Sequence, residues 1–426
     1  MTTLAQQGTQ PTGFPTRFRE GEARGRRLGR PLRLLGRIDE VDEELMERIG
    51  RAFGERDEAG ARLAEAIRMR AGAPGKVTMG QLRTALEHGI AAVESPPAAL
   101  AEFFAQVEAT PDWVDWDLVD EGSRVFTRLG QNAADVLLQL SLISGYRFGG
   151  PPDLLVATGG LTGSTTRRRL GETQHWAVSL RQPGALRPPG SEPGSEPGSS
   201  SGEAWRLTVH VRAMHALVNA GFEQRWDTGR WGLPINQADQ AATLGLFDGV
   251  LIIGCRALGV PISRRDARAL MHLWKYVGWL MGVDEDFLVD DEWERHRINY
   301  HVLLAQAEIS EAGPQLAQAA VRVQRERRYP GWPGPLQRVR GWYETERLLS
   351  MLTVFLGVRS MRELGLPTRP PWAHAYVVPL NLVRYRLLGR TEKGRERLER
   401  RGKRQADALL AGYFGGERAS VGNLPE

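Results

Sequence analysis

The chain has 426 residues, a hydrophobic fraction of 41%, a charged fraction of 25% and a formal net charge of +5. A chain of this length buries roughly three quarters of the surface that it exposes when unfolded, so we expect a large apolar core. The composition is that of a folded globular protein and excludes a disordered or collagen-like chain. The arginines are scattered along the sequence and do not alternate with aromatic residues on one face, so we expect no nucleic-acid partner.

The compartment is predicted from the cysteine content and the apolar stretches. The single cysteine, Cys255, allows no disulfide and no cysteine-based zinc site, which is usual in a reducing compartment. The most apolar stretch, residues 241–262, contains Asp248 and Arg256, so we do not expect it to span a membrane. Arginines also interrupt the apolar run that follows Arg26-Arg27, whereas an export signal has an uninterrupted apolar run at this point. We therefore expect a cytoplasmic protein.

Helical periodicity dominates the chain. Apolar residues recur at spacings of three and four after Glu43, between residues 98 and 109, and after Ser263, which is a predicted N-cap. The segment Asp135–Ile143 is apolar nearly all round and predicts a fully buried helix. No long period-two alternation occurs, so the predicted fold class is all-α.

Composition divides the chain into four predicted segments. Residues 1–24 are polar and are expected to be disordered, and residues 25–110 form an N-terminal helical extension. Residues 111–300 form the helical core, with a flexible loop of Gly, Ser, Glu and Pro over 182–202. Residues 301–426 supply C-terminal helices and a basic tail that pack on the core.

Two segments on either side of that loop gather the residues best suited to chemistry. Arg169 and Thr173 bring a fixed cation and a hydroxyl, and His215 stands on a predicted helix face with Val211 and Met214. A neutral imidazole on an apolar face can bind iron through Nε2 if Nδ1 has a partner that fixes the tautomer. The alternative is a core histidine with no ligand. His210 is off that face, where we expect it to be a supporting or surface group.

The ordered motifs resemble one known family. They are an acidic residue before Leu154–Leu161, Arg169-x-x-x-Thr173, Val211-Arg-x-x-His215, Trp231–Asp239 with Thr243, and His272–Gly278. In this order they resemble the latex-clearing and MpaB-type oxygenases, b-haem proteins with a globin-like helical core. The resemblance therefore implies haem b as the cofactor of this chain.

The resemblance also implies roles for individual residues. It makes His215 the metal ligand, Arg169 and Thr173 the polar pair on the opposite side of the haem, and Asp153 the counterpart of a catalytic glutamate. Arg212 and His272 are implied as further cofactor-binding residues. Two departures matter. Glu172 stands where the rubber enzymes have a lysine that can close the sixth iron position, and Asn219 replaces a usual arginine.

Each of these residues also has a purely structural interpretation. Asp153 follows Pro151-Pro152 and could cap a helix, and Arg169 could be a solvated member of an arginine run. Asn236 and Asp239 can cap the helix that begins near residue 237, and His272 can belong to the core with a polar partner.

The resemblance implies an oxygenase that uses O2 to oxidise or cleave a C=C bond in a hydrophobic, isoprenoid- or lipid-like substrate. Two alternatives stay open from the residues: a haem-binding sensor or peroxidase-like protein, and a metal-free helical lipid-binding protein. The basic C-terminal helix is either solvated or lies on an anionic membrane. The oligomeric state is not determined by these patterns.

Overall fold

In a computed structural model, the structure describes residues 13–159, 165–191 and 201–415. The described residues form helices and no strands, which confirms the predicted all-α fold class. The helices are α1 Glu22–Leu28, α2 Arg30–Leu35, α3 Glu43–Ala52, α4 Glu58–Arg68, α5 Met79–His88, α6 Ala98–Glu108, α7 Trp116–Leu129, α8 Gln131–Val136, α9 Pro151–Ala157, α10 Thr165–Ser179, α11 Glu203–Phe222, α12 Thr228–Trp231, α13 Gln237–Phe247, α14 Gly249–Ala257, α15 Arg264–Leu280, α16 Glu292–Ala305, α17 Ala312–Glu326, α18 Gln337–Glu363, α19 Trp372–Leu388 and α20 Glu392–Phe414.

Side-chain caps fix where several helices begin. Ser263 accepts a hydrogen bond from the backbone N–H of Asp266 at the start of α15, as its sequence predicts. Asn236 does the same for the N–H of Asp239 at the start of α13. Because each cap satisfies an N–H that would otherwise lack a partner, polar residues set the register of the apolar faces that follow.

The segment Asp135–Ile143 is helical as predicted, but it is not fully buried, since Leu138, Leu140 and Leu142 are partly exposed, and most of it is wider than an α-helix. α8 ends at Val136, and residues Leu137–Ile143 form a π-helix. Such wide turns are uncommon and occur often at functional sites. This one separates α8 from the loop that leads to α9.

The core consists of two apolar clusters. The larger one surrounds α15, whose Trp274 and Tyr276 are fully buried, and it includes faces of α7, α11 and α13. α15 lies close to α7 because Gly122 has no side chain: a Cβ there would stand 2.4 Å from the carbonyl oxygen of Ala269. The smaller cluster joins α17, α18 and the C-terminal part of α20.

Two segments that were predicted to be disordered or flexible are packed where the structure describes them. Within 1–24, residues 1–12 lie outside the described residues, but Arg17 is fully buried and Phe18 is buried beside Phe53. Within 182–202, residues 192–200 lie outside the described residues, while Leu186 is buried and the N–H of Gly184 donates to Asp120. The polar composition of the two segments did not predict this packing, because each segment packs through single aromatic or aliphatic residues such as Phe18 and Leu186. The end of the predicted basic tail, 416–426, also lies outside the described residues.

The apolar stretch around residue 250 requires a correction. Gln237–Ala257 is long and apolar enough to cross a membrane by length and composition alone. Most of its residues, however, are buried inside the protein. The stretch is two helices, α13 and α14, that meet at Asp248. The Asp248 carboxylate and its ion-pair partner Arg295 are both fully buried, 2.7 Å apart. Arg295 of α16 thus neutralises Asp248, one of the two charged residues on which the prediction against a membrane span rested.

Candidate active site

A large cavity opens among the π-helix, α10, α13, α14 and α18. Its volume is about 680 Å³, which lies within the range typical of small-molecule sites. Most of its wall is apolar, as shown by Leu138, Leu142, Leu155, Leu170, Phe247 and Ile253. The cavity also uses residues outside the predicted core 111–300, from α2 at one side and from α18 and α19 at the other.

The serine and threonine hydroxyl groups in the wall contribute little polarity to the cavity. Thr243 donates to the carbonyl oxygen of Asp239 at 2.8 Å, and Thr173 donates to that of Arg169 at 3.2 Å. Ser141 donates to the carbonyl oxygen of Leu246 at 2.7 Å. Since these donors are already used, the surface that a ligand meets is mainly hydrocarbon.

Four lining residues retain buried polar atoms with no partner: Tyr146 Oη, Gln174 Oε1, Asp239 Oδ1 and both ring nitrogens of His374. Burial raises the pKa of the Tyr146 hydroxyl, so the phenol is neutral. Burial, and then the nearby Arg347 charge, lower the pKa of His374, so its imidazole is also neutral near pH 7. A buried polar atom without a partner is costly, so these are the atoms best placed to bind a ligand.

Asp239 connects the cavity to the N-terminal segment. Arg17 Nη2 stands 2.5 Å from Asp239 Oδ2, and Asn236 Nδ2 donates to the same oxygen at 2.8 Å. The Arg17 guanidinium also lies over the ring of Phe53, 4.2 Å from its centre. Asn236 therefore caps α13 as expected, whereas Asp239 uses its carboxylate for a buried ion pair with Arg17.

His215 lies elsewhere. It lines a separate cavity of about 20 Å³ together with Asp57, Arg212, Asn219 and Gln240, and it is not among the described residues that line the large cavity. Burial lowers the pKa of His215 to about 4, against a smaller opposing effect of Asp57. Its Nδ1 is buried without a hydrogen-bond partner. The imidazole is thus neutral, as a metal ligand must be, but its tautomer is not fixed by a neighbour.

An aromatic cluster occupies the space between α10 and α11. Trp176 of α10 donates its indole N–H to Thr208 of α11 at 2.9 Å. Its ring packs against Phe247, which lines the large cavity, and against Trp274, at centre-to-centre distances of 5.5 and 5.9 Å. Thr208 precedes His215 by two helical turns on the same side of α11. Trp176 therefore links α10 to α11, the two helices between which the motifs imply a haem.

Arg169 and Thr173 were predicted to lie on the side of the haem opposite to His215. Of these two, Thr173 lines the large cavity and Arg169 does not. The side chain of Arg169 is about half exposed, and its Nη1 is 3.5 Å from Glu172 Oε2. Glu172 is buried and also pairs with Arg168 at 3.1 Å. Arg168 and Arg169 thus both pair with Glu172 along α10, and Arg169 is not among the described residues that line the large cavity.

The remaining predicted site residues have structural contacts. Asp153 is not the N-cap that its structural interpretation predicted: it is the third residue of α9, and its carboxylate accepts from the N–H of the N-cap residue Gly150 at 2.8 Å. Arg212 holds both oxygens of Asp57 at 2.7 Å. His272 Nδ1 lies 2.8 Å from Asp290 Oδ1, and its Nε2 accepts from the N–H of Asp115 at 2.9 Å. Both ring nitrogens of His272 are engaged, which leaves none for a cofactor.

Sequence reasoning missed Tyr146 and His374, which line the large cavity, and Arg17, which pairs with the lining residue Asp239. Tyr146 follows an apolar helix with nothing to distinguish it from a core tyrosine, and His374 stands on a helix far from every motif. Arg17 lies in a segment that its composition marks as disordered. Asp239, Thr243 and Thr173, by contrast, line the cavity and belong to the motifs that the sequence offered.

Comparison with known proteins fits this architecture. A family model described as "ER-bound oxygenase mpaB/B'/Rubber oxygenase, catalytic domain" matches residues 129–391. A solved structure entitled "Structure of Latex Clearing Protein LCP in the closed state" superposes with a TM-score of 0.63 at 18% identity, covering 88% of this chain and 95% of that one. At this identity the second match shows a shared fold. No curated protein sequence matches the chain significantly. Because the family model covers more than half of the residues, the chain belongs to the family of MpaB and rubber oxygenase catalytic domains.

Proposed function

We propose that this protein is an oxygenase that uses O2 to oxidise or cleave a C=C bond in an isoprenoid- or lipid-like molecule held in the large cavity. One observation carries the choice of substrate class: a cavity of about 680 Å³ whose wall is largely hydrocarbon. Burying apolar substrate surface there is favourable by about 25 cal/mol per Å². The reaction class comes from the family to which the chain belongs.

The wall explains why a charged substrate is excluded. The Asp239 carboxylate is already paired with Arg17, so an anionic or cationic ligand would leave a net charge in an apolar environment. A neutral ligand with at most a weakly polar group avoids this cost. Tyr146 and His374, both neutral, can accept or donate one hydrogen bond each to such a group.

Haem b is the proposed cofactor, on the strength of the family and of the sequence motifs. The arrangement that the motifs imply does not fit the described residues. His215 and Thr173 line different cavities, and the cavity at His215 has room for about one water molecule, far less than a porphyrin needs. Of the described imidazoles, the one that lines a cavity of porphyrin size is that of His374.

Absorption spectra of the purified protein and two variants test the cofactor. Protein from haem-supplied cells is expected to show a Soret band, and His215→Ala and His374→Ala ask which imidazole holds the iron. Loss of the band in His215→Ala alone would mean that α10 and α11 separate to admit haem. Loss in His374→Ala alone would place the haem in the large cavity. A colourless wild-type protein would refute the cofactor.

Turnover tests the activity independently. Oxygen consumption is measured with a long isoprenoid alkene and with its saturated analogue, which has the same shape and no C=C bond. The proposal expects consumption with the alkene only. Haem without consumption would favour the sensor or peroxidase-like alternative. Binding of both hydrocarbons by colourless protein would favour the lipid carrier.

A further inference from the structure

The exposed apolar side chains of this protein are concentrated in one region. Fourteen large apolar residues are exposed in the described part of the chain, and ten of them lie between residues 332 and 387. They stand on α18, α19 and the turn before α18, and these two helices pack against each other. Single exposed apolar residues are ordinary, whereas a concentration of this kind marks an interaction surface.

α19 exposes an apolar strip, while its buried side contains Ala373, Val377 and the polar Asn381. Leu380, Val383 and Leu387 recur at helical spacing and are each about half exposed or more. On the opposite face Asn381 is buried and donates to Asn132 Oδ1 at 2.7 Å, and Tyr385 Oη donates to the carbonyl oxygen of Arg128. A helix on a water-facing surface exposes mainly polar residues instead. The exposed apolar strip is the α19 face (Tyr376, Leu380, Val383 and Leu387).

A strongly basic helix lies next to the α19 face. α20 packs against α19. Between residues 392 and 404 it exposes seven cations against the two exposed carboxylates Glu392 and Glu396; the cations are Lys393, Arg395, Arg397, Arg400, Arg401, Lys403 and Arg404. An apolar strip flanked by cations is complementary to a surface that has hydrocarbon beneath negative charge.

The exposed apolar region also reaches the large cavity, through α18. Val354 of α18 is about half exposed and lines the cavity, so it stands at the opening. His374 lines the cavity from the inner side of α19, about 200° around the helix from Tyr376 of the α19 face. Trp342 and Tyr376 are exposed on the same two helices, and aromatic residues of this type favour the headgroup level of a bilayer.

We propose that the α19 face docks on an anionic lipid bilayer, with the exposed cations of α20 on the headgroups and the cavity opening toward the acyl chains. The bilayer is preferred over a second copy of the chain, because a symmetric dimer through this face would bring two basic helices together without countercharge. Docking itself does not rest on the proposed oxygenase function. Only its consequence does, namely that a membrane-dissolved substrate can reach the cavity without passing through water.

Vesicle sedimentation tests the docking with full-length protein. Wild type is expected to bind vesicles of phosphatidylcholine with phosphatidylglycerol and to bind pure phosphatidylcholine much more weakly. The variant Leu380→Ser/Val383→Ser/Leu387→Ser should lower the partition coefficient on the mixed vesicles about a hundredfold, since three apolar side chains no longer enter the bilayer. The matched control Met69→Ser/Trp293→Ser removes exposed apolar residues elsewhere and should bind as wild type.

The charge component is tested separately. Arg397→Glu/Arg401→Glu should weaken binding to the mixed vesicles about tenfold or more at low salt and little at high salt, because the attraction is screened. Circular dichroism confirms that each variant is folded. If the triple serine variant does not fold, the blue shift of tryptophan fluorescence on adding vesicles to Val383→Ser replaces it, and a shift equal to that of wild type would contradict the proposal.

Two results would overturn the docking. One is equal sedimentation of wild type and the triple serine variant. The other is light scattering that shows a wild-type dimer converted to a monomer by the same three substitutions, which would mean that a second copy covers the α19 face. Either result leaves the oxygen-consumption test unaffected, so failure of docking and failure of the proposed function are distinguishable.

Discussion

Two cavities in the described part of this protein contrast in what surrounds them. The small one contains His215 and Arg212 of the motif Val211-Arg-x-x-His215, yet it measures about 20 Å³ and is bordered by the Arg212–Asp57 ion pair. The large cavity measures about 680 Å³ and is walled by residues that mostly carry no recognisable motif. The motifs therefore indicate which residues are suited to catalysis, whereas the cavity volumes indicate where a ligand can bind. The motif histidine, His215, does not line the cavity that is large enough for a ligand, and experiments can test this difference.

The largest expected effect comes from breaking the buried ion pair beside each cavity. Asp57→Ala leaves Arg212, and Asp239→Ala leaves Arg17, as a buried cation without its carboxylate. Each variant should lose about 3–5 kcal/mol of unfolding free energy in urea denaturation. The control Glu102→Ala, whose pair with Arg62 is exposed, should lose less than about 1 kcal/mol.

Ligand binding then separates these two variants. Because Asp239 lines the large cavity and Asp57 lines the small one, only Asp239→Ala should alter the affinity of a fluorescent lipid probe. An equal loss of affinity in Asp57→Ala would mean that the two cavities join when a ligand is bound.

The second prediction uses pH to isolate the small cavity. Burial lowers the pKa of His215 from 6.5 to about 4, so the folded protein binds fewer protons than the unfolded chain between these values. The contribution of His215 to stability is present above pH 6.5 and is lost as the pH falls toward 4. This loss is at most about 3 kcal/mol. Comparing the unfolding free energies of wild type and His215→Gln from pH 7 to pH 4 measures it. Parallel curves would show that the imidazole is hydrated in the folded state.

The third prediction fills one cavity at a time. Thr243→Trp places an indole in the large cavity and should weaken binding of the lipid probe about a hundredfold. Ala220→Leu fills the small cavity and should leave probe binding unchanged. The reverse pattern would assign ligand binding to the small cavity at His215. Thermal unfolding of both variants shows whether overpacking contributes.

The smallest expected effect is that of Arg169. Its side chain is half exposed and its single ion pair is long, so Arg169→Ala should change the unfolding free energy by less than about 0.5 kcal/mol. Oxygen consumption should also be unchanged if the residue stays on the surface during turnover. A large loss of turnover at unchanged stability would mean that α10 rotates when the cofactor binds, and would restore the role that the motif implies.

Local patterns in the sequence determined much of this protein. The caps at Ser263 and Asn236 and the apolar run at Asp135–Ile143 were predictable because each depends on residues within a few positions of one another. The ordered motifs likewise predicted the family. The tertiary structure alone decided the burial of Arg17, whose partner Asp239 is 222 residues away. It also decided the separation of His215 from the large cavity, because Trp176, Phe247 and Trp274 meet only when three helices pack. Sequence spacing places side chains on a face of one helix, whereas a cavity is the space that several helices leave between them, and no single spacing records it.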